Sequence, residues 1–434
     1  MLIQRASLLD GRVVDIRLGA QIHEVDDELT PRRGEEVFDA GCGTVLPGLH
    51  DHHVHLFSAA AAEDSLRVGP PHVRDRDDLV RVLGSAQVGS DGWIRAVGYH
   101  DSVAGPLDRT VLDALAPPVP VRVQHRSGVL WIVNSAGLAR IGLAEHRDGR
   151  LRSADPSWSV GLWRRETRLV GISGRLTRYG VTGVTDATPD LDVADIVHFA
   201  ELQRRGELRQ HVHRLSPGKR ILHDDDLNFD DLARWIGDRH NAGGPVAIHC
   251  VTAAQLVVTI AALHQAGTRS GDRIEHAAVV PCDSVAELAR LGVTVVTQPN
   301  FVAERGDHYL ADVPAAEHHQ LWPVASLLQA KVPMALSTDM PFGCDDPWAV
   351  MRAAVHRTTP SGAVLNPGEC VTARTALTMF LGRPERPAQP RTVEPGQPGD
   401  LCVLAMPPAA ALTELTAEMV AATVIKGELA HAPG

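Results

Sequence analysis

Four histidines, a lysine and an aspartate stand where short apolar runs of this chain end, and side chains of that kind gathered at strand ends can hold a cation. His53 and His55 close the run VLPGLHDHHVHL. On a strand, residues i and i+2 face the same way, so both imidazoles can enter one mouth and share a metal. With 22 histidines in 434 residues, about one such pair arises by chance. The chain also contains His50-Asp51-His52 and His211-Val212-His213. What singles out His53 and His55 is the apolar run and the Pro47-Gly48 turn before them. His211 and His213 are expected to be solvated or packed imidazoles. His249 closes VAIHC and His276 closes RIEHA. Asp339 ends MALSTD, where a carboxylate is costly to bury unless it is paired or bound to metal; the alternative is a helix cap. Asp51 has the strand parity of His53 and could orient it; an ordinary salt bridge is the equal alternative.

Lys219 is one of only three lysines, with Lys331 and Lys426. It opens or lies within the strand expected before His249. A neutral amine there can take up CO₂ and become a carbamate, an oxygen ligand able to bridge two metals. Arginine, which stays protonated, could not easily do so. A solvated lysine is the alternative.

These residues need a frame. Strands are predicted at 44–57, 93–99, 121–125, 180–187, 218–222, 246–250, 273–277, 294–299 and 334–339, with helical stretches between them. Several of those helices end in glycine, as a helix C-terminus prefers. That alternation predicts an α/β chain built on a (β/α)₈ barrel with one strand to spare, its site at the C-terminal strand ends. Both ends of the chain read as short strands with turns. The expected domains are 1–46 and 386–434, two parts of one small β-sandwich, and 47–385, the barrel. The Pro-rich stretch 383–400 reads as the linker between them.

Composition excludes other classes. There are 42 basic and 53 acidic residues, a net charge of −11, which argues against nucleic acid or an anionic membrane as partner. At 44% hydrophobic residues the chain can bury a core and is not a disordered protein. No apolar run approaches a membrane span. The N-terminus has no apolar signal core and the six cysteines are scattered, so a cytoplasmic location with reduced thiols is expected. No nucleophile elbow, P-loop or dinucleotide fingerprint is present.

Taken together, VLPGLHDHHVHL, SGVLWIVNSAGLARIGL, GVTGVTDA, VAIHC, DRIEHA, TQPNF and ALSTDMPFGCDDPWAVMRAAVHR resemble the amidohydrolase superfamily, within it the branch of N-substituted formamide deformylases. The resemblance spans nearly the whole chain. It implies a (β/α)₈ barrel with a β-sandwich from both ends, and one or two divalent metals, usually zinc. By position, His53 and His55 would hold the more buried metal, and His249 and His276 the second. Asp339 would bind metal and shuttle protons, and Lys219 would be the carboxylated lysine. Val129 stands where branch members usually carry a histidine, with His125 just upstream. The expected substrate contacts are His125, Arg126, Asn300 and Phe342. The expected activity is hydrolysis of a small-molecule amide or formamide. Rivals are a mononuclear deaminase, a cyclic-amide hydrolase, a metal-dependent lyase or cyclase, and a barrel that only binds. A homodimer is the one macromolecular assembly left open.

Overall fold

A computed structural model describes residues 1–153, 156–158 and 168–432. The chain divides into two compact units, one of Met1–His55 with Leu169–Gly434 and one of Leu56–Arg168.

The larger unit carries eight short parallel strands, numbered here in chain order: β1 Leu49–Val54, β2 Val181–Asp186, β3 His211–Arg214, β4 Lys219–Ile221, β5 Ala247–Cys250, β6 Arg273–His276, β7 Thr294–Thr297 and β8 Met334–Leu336. They form a three-stranded sheet ordered β3-β2-β1 and a five-stranded sheet ordered β4-β5-β6-β7-β8. An isolated parallel bridge between Val54 and Met340 links the end of β1 to the chain just beyond β8. Backbone bonds from His55 N to Met340 O (2.8 Å) and from Asp339 N to His53 O (3.0 Å) strengthen that seam. No ladder joins β3 to β4 among the described residues, so the strands follow one another in chain order without a closed barrel.

Sequence explains the strand-then-helix rhythm. Thr252 ends the β5 turn as a capping residue: its hydroxyl accepts from Gln255 N while the Gln255 side chain accepts from Thr252 N. Two otherwise orphaned donors are satisfied there, which starts the helix Ala253–Ala266 two residues after the strand. Asp192 and Asp195 do the same for Val193–Arg204 after β2. In β5, Ile248 is completely buried, and even trimming it to valine would cost about 1 kcal/mol.

The chain ends form two four-stranded sheets. One is ordered Ile22–Asp26, Val13–Leu18, Leu2–Ser7, Val37–Asp39; the other is Glu428–His431, Val420–Ile425, Leu401–Leu404, Val45–Pro47. Ile3, Ile16 and Leu18 of the first share one apolar cluster with Val45, Val403 and Val424 of the second. The segment read as a linker is more ordered than that. Gly382–Arg383 pairs with Arg386–Pro390, and Val393 is buried in the same apolar cluster.

The smaller unit has its own mixed sheet, ordered Arg150–Arg152, Leu130–Val133, Val121–His125, Ile94–Tyr99, Leu66–Arg67. Tyr99, Val121, Val123 and Ile132 lie in its core. The predicted strands at 93–99 and 121–125 therefore belong to this sheet and not to the parallel series. Their place in the series is taken by β3, the HVHR segment.

Candidate metal centre

Polar residues at or just beyond the ends of β1, β5, β6 and β8 converge with one from the start of β4. Lys219, at the start of β4, is 5% exposed, and its Nζ lies 3.1 Å from His53 Nε2. Asp339 Oδ1 lies 3.6 Å from His53 Nε2 and 3.6 Å from His55 Nε2. The ring of His276 is 4.8 Å from that of His53 and 4.5 Å from that of His249, between centroids. All six sequence-predicted candidates thus form one continuous cluster. The liganding atoms of His53, His55 and Asp339 all lie within 4.8 Å of one another.

Local backbone aims them. β1 takes three steps, Asp51 to Val54, against only two steps of β2, Val184 to Asp186. This irregularity inserts an extra residue and turns the side chains after it, as a bulge does. Asp339 and His276 both have left-handed backbones, φ 58° and 71°. For residues other than glycine that conformation is strained by on the order of 1 kcal/mol or more, and such strain gathers at functional sites.

Hydrogen bonds fix which nitrogen is bare in two of the rings, His53 and His276. His53 Nδ1 meets the Glu275 carboxylate. An ionised carboxylate only accepts, so Nδ1 carries the proton and Nε2 presents its lone pair to the cluster. His276 Nδ1 lies 2.7 Å from Gln298 Oε1, and Gln298 Nε2 donates to Ser337 Oγ at 2.8 Å. That leaves His276 Nε2 bare by the same logic. Glu275 is itself gripped by Arg273, whose Nη2 also donates to His52 O at 2.6 Å.

Burial sets the charge states. It holds His53, His55 and His249 well below the usual imidazole range, and drops His276 to about 3, with the Lys219 charge adding to the effect. These rings are neutral at any working pH, as metal ligands must be. Burial also pushes the Lys219 amine down, partly opposed by the charges of Glu275 and Asp339, and the Asp339 carboxyl up, partly opposed by the charge of Lys219.

An orienting role for Asp51 is not what the structure shows. Its carboxylate accepts from Thr338 N at 3.1 Å and Thr338 Oγ1 at 2.5 Å, and more weakly from the His53 backbone N at 3.4 Å. The irregular pairing of β1 breaks the simple parity between Asp51 and His53. Asp51 instead anchors the chain one residue before Asp339, and burial raises its carboxyl to about 7. Sequence reasoning missed Glu275, Arg273 and Gln298. The available signal was two charges, Arg273 and Glu275, inside a strand that is fully buried.

The four expected substrate contacts divide. Phe342 turns its edge to His55, centroids 5.3 Å apart. Asn300 is buried, its Nδ2 3.1 Å from Thr338 O and 3.0 Å from Glu304 Oε1, and its Oδ1 lacks a partner among the described residues. His125 and Arg126 stand in the smaller unit, at the end of the strand Val121–His125, where His125 Nδ1 is 2.9 Å from Ser127 Oγ.

An α/β fold with neutral imidazoles and a carboxylate gathered at parallel strand ends defines a class of metal-dependent enzymes. The sequence profile of the amidohydrolase family matches residues 36–431, and the chain belongs to that family, whose members are metal-dependent hydrolases acting on carbon–nitrogen bonds. An N-substituted formamide deformylase from Arthrobacter pascens is 26% identical, with 91% of this chain and 90% of that protein covered. Among solved structures, an uncharacterized metal-dependent hydrolase from Pyrococcus horikoshii superposes with a TM-score of 0.73 at 17% identity, covering 99% of each chain. An N-isopropylammelide isopropylaminohydrolase from Burkholderia multivorans gives 0.54 at 14% identity, covering 99% of this chain and 97% of that one. No helix among the described residues is long and apolar enough to cross a membrane.

The residues present fit a divalent cation. Asp339 Oδ1 is buried and has no hydrogen-bond partner among the described residues; the His53 and His55 nitrogens stand 3.6 Å away, too far to supply one. A buried carboxylate oxygen left so is costly, and a cation shared by these atoms removes the cost.

Proposed function

We propose that this chain hydrolyses the carbon–nitrogen bond of a linear amide or formamide of a small molecule. One or two divalent ions, zinc by family resemblance, would be held by His53, His55, His249, His276, Asp339 and, in carboxylated form, Lys219. The observation that carries the reading is the convergence of these six side chains from five strands of the parallel series and the residues just beyond them. In this reading the parallel strands wrap into a (β/α)₈ barrel over 47–385. Residues 1–46 and 386–434 form the β-sandwich, and the free cysteines suit the cytoplasm.

A bound cation would supply a lowered pKa for water and polarisation of a carbonyl. The rest falls to the chain. Glu275 and Gln298 hold His53 and His276 in the tautomers that face the centre. Asp339 takes the proton of the attacking water at a carboxylate oxygen and delivers it to the leaving nitrogen, without which an amine leaves poorly. Phe342 covers the His55 edge of the site and excludes water there. Asn300, bonded to Thr338 O, steadies the turn that carries Asp339. The amine of Lys219 is pushed toward its neutral form by burial, and only a neutral amine can take up CO₂.

The test is metal analysis of the purified protein, followed by an activity screen over formamides, acyl amides, hydantoins and aminopyrimidines. Amide turnover that requires bound metal supports the reading. Release of ammonia from aminopyrimidines with a single metal, and no amide turnover, would overturn it in favour of a mononuclear deaminase.

A further inference from the structure

The helix α1, Asn300–Asp312, follows β7 and brings an arginine to the edge of the cluster. Arg305 lies one turn after Phe301, and its guanidinium stacks on the Phe301 ring with 4.3 Å from Cζ to the centroid. Its Nη2 donates to Phe342 O. Phe342 belongs to the turn built on Asp339: Phe342 N and Gly343 N both donate to Asp339 O, at 2.8 and 3.1 Å. The Phe342 ring meets His55. A single hydrogen bond therefore separates Arg305 from the turn that positions Asp339.

What Arg305 lacks is a counter-ion. Among the described residues no carboxylate pairs with it, and the nearby acids are engaged elsewhere. Glu304 accepts from Asn300 Nδ2 and from Cys344 N, Asp307 accepts from Ser361 N and Oγ, and Asp345 pairs with Arg175. The Arg305 charge does act on Asp339, but that carboxylate is committed to the cluster. A guanidinium has five N–H donors in a planar fork, and only Nη2 is used here. Arg305 is only partly buried, and the rest of its fork has no protein acceptor among the described residues. A planar, half-buried fork over an aromatic face is suited to bidentate capture of a carboxylate.

We infer that Arg305, backed by Phe301 and the Phe342 carbonyl, is a carboxylate-binding subsite beside the metal cluster, so that the preferred substrate is an amide that also bears a carboxylate. The inference rests on the amide-hydrolase reading for its substrate but not for its binding site. Arg305 is a specificity-determining residue in this scheme and takes no part in proton transfer.

The experiment uses the zinc-loaded enzyme and an inert pair of ligands, N-methylsulfonyl-leucine and N-methylsulfonyl-leucinamide, which differ only in the charge of one end. Calorimetry reads their affinities. The acid is expected to bind at least ~10-fold more tightly, the usual scale for a charge-assisted bond. Arg305→Gln should abolish that preference while leaving the amide's affinity within about 2-fold, and Arg305→Lys should keep part of it. In parallel, kcat/KM for N-formyl-leucine over N-formyl-leucinamide should fall in Arg305→Gln through KM. If Arg305→Gln weakens both ligands equally, Arg305 is only a clamp on the Asp339 turn and the inference fails. It fails also if the acid is not preferred, if neither ligand binds, or if the preference survives the substitution. If the preference behaves as expected but no amide is turned over, the subsite stands and the proposed reaction falls.

Discussion

Replacing Glu275 tests whether the cluster is held from behind. Glu275 is fully buried, bonded on one side to His53 Nδ1 and on the other to Arg273. Glu275→Gln keeps the volume and an acceptor for His53 but removes the charge. A carboxylate behind a metal-bound histidine raises its basicity, and losing such a partner typically lowers metal affinity about 10–100-fold, about 1.4–2.7 kcal/mol. The fold should suffer as well. Arg273, 4% exposed at its side chain, would lose its carboxylate, and breaking a buried pair costs about 3–5 kcal/mol. Its remaining bond to His52 O should keep the loss toward the low end. The assay is zinc affinity by chelator competition, with thermal melting of the metal-free protein as the check on folding. The decisive arm repeats Glu275→Gln in a His53→Ala background. If Glu275 acts through His53, it should weaken zinc no further there, a non-additivity that only coupled residues show. An equal drop in both backgrounds, or an unchanged zinc affinity in a folded Glu275→Gln protein, would refute the reasoning.

Three further outcomes are expected. Alanine at His53, His55, His249 or His276 should lower bound metal, measured by elemental analysis, and abolish hydrolysis. His211→Ala and His213→Ala should do neither, because His211 pairs with Asp400 at 3.1 Å, outside the cluster. Asp339→Asn keeps one ligand oxygen but cannot accept a proton, so kcat should fall at least ~10²-fold with metal largely retained; near-normal turnover would place the proton path elsewhere. Lys219→Ala should reduce metal content from about two ions to one or fewer, and added formate or acetate should partly restore activity; full activity with one metal would exclude the carboxylated lysine.

The candidate cluster was legible in the sequence because its histidines and Asp339 break apolar runs at their ends, a pattern that burial alone does not favour, and because Lys219 is one of only three lysines. The supporting residues were not legible, because their contacts are set by tertiary approach. Glu275 and His53 are 222 positions apart, and no local pattern says which strand will face which. Parity failed at Asp51 for a local reason, the extra residue in β1, which periodicity cannot foresee. The strand register misled in a similar way. HVHR contains one aliphatic residue and reads as surface, yet it pairs with β2 from Gly183–His211 to Asp186–Arg214. Its strand character comes from the partner. WIRAVGY and VRVQH are strands, as their composition requires, but composition does not reveal which sheet a strand joins.

The charge balance of the cluster links these observations. Without a cation, burial favours neutral imidazoles, a neutral amine at Lys219 and a protonated Asp339, so the site is held together without exposing an unpaired charge to a low dielectric. One divalent ion changes that account, because it favours the ionised form of Asp339 and is partly neutralised by it. A second ion some ~3.5–4 Å away would be repelled by on the order of 20 kcal/mol even at an effective dielectric near ~20. Glu275 cannot offset this directly, since its carboxylate faces His53 Nδ1 and Arg273, on the far side of the ring. Asn300 and Gln298 are neutral. Beyond Asp339, which the first ion already ionises, the group in the cluster that could turn from neutral to anionic is the Lys219 amine, by adding CO₂ and losing a proton, and it sits 3.1 Å from the ring nitrogen of His53. In the proposed reading, the number of metals would therefore be tied to the chemical state of one lysine in a protein that has only three.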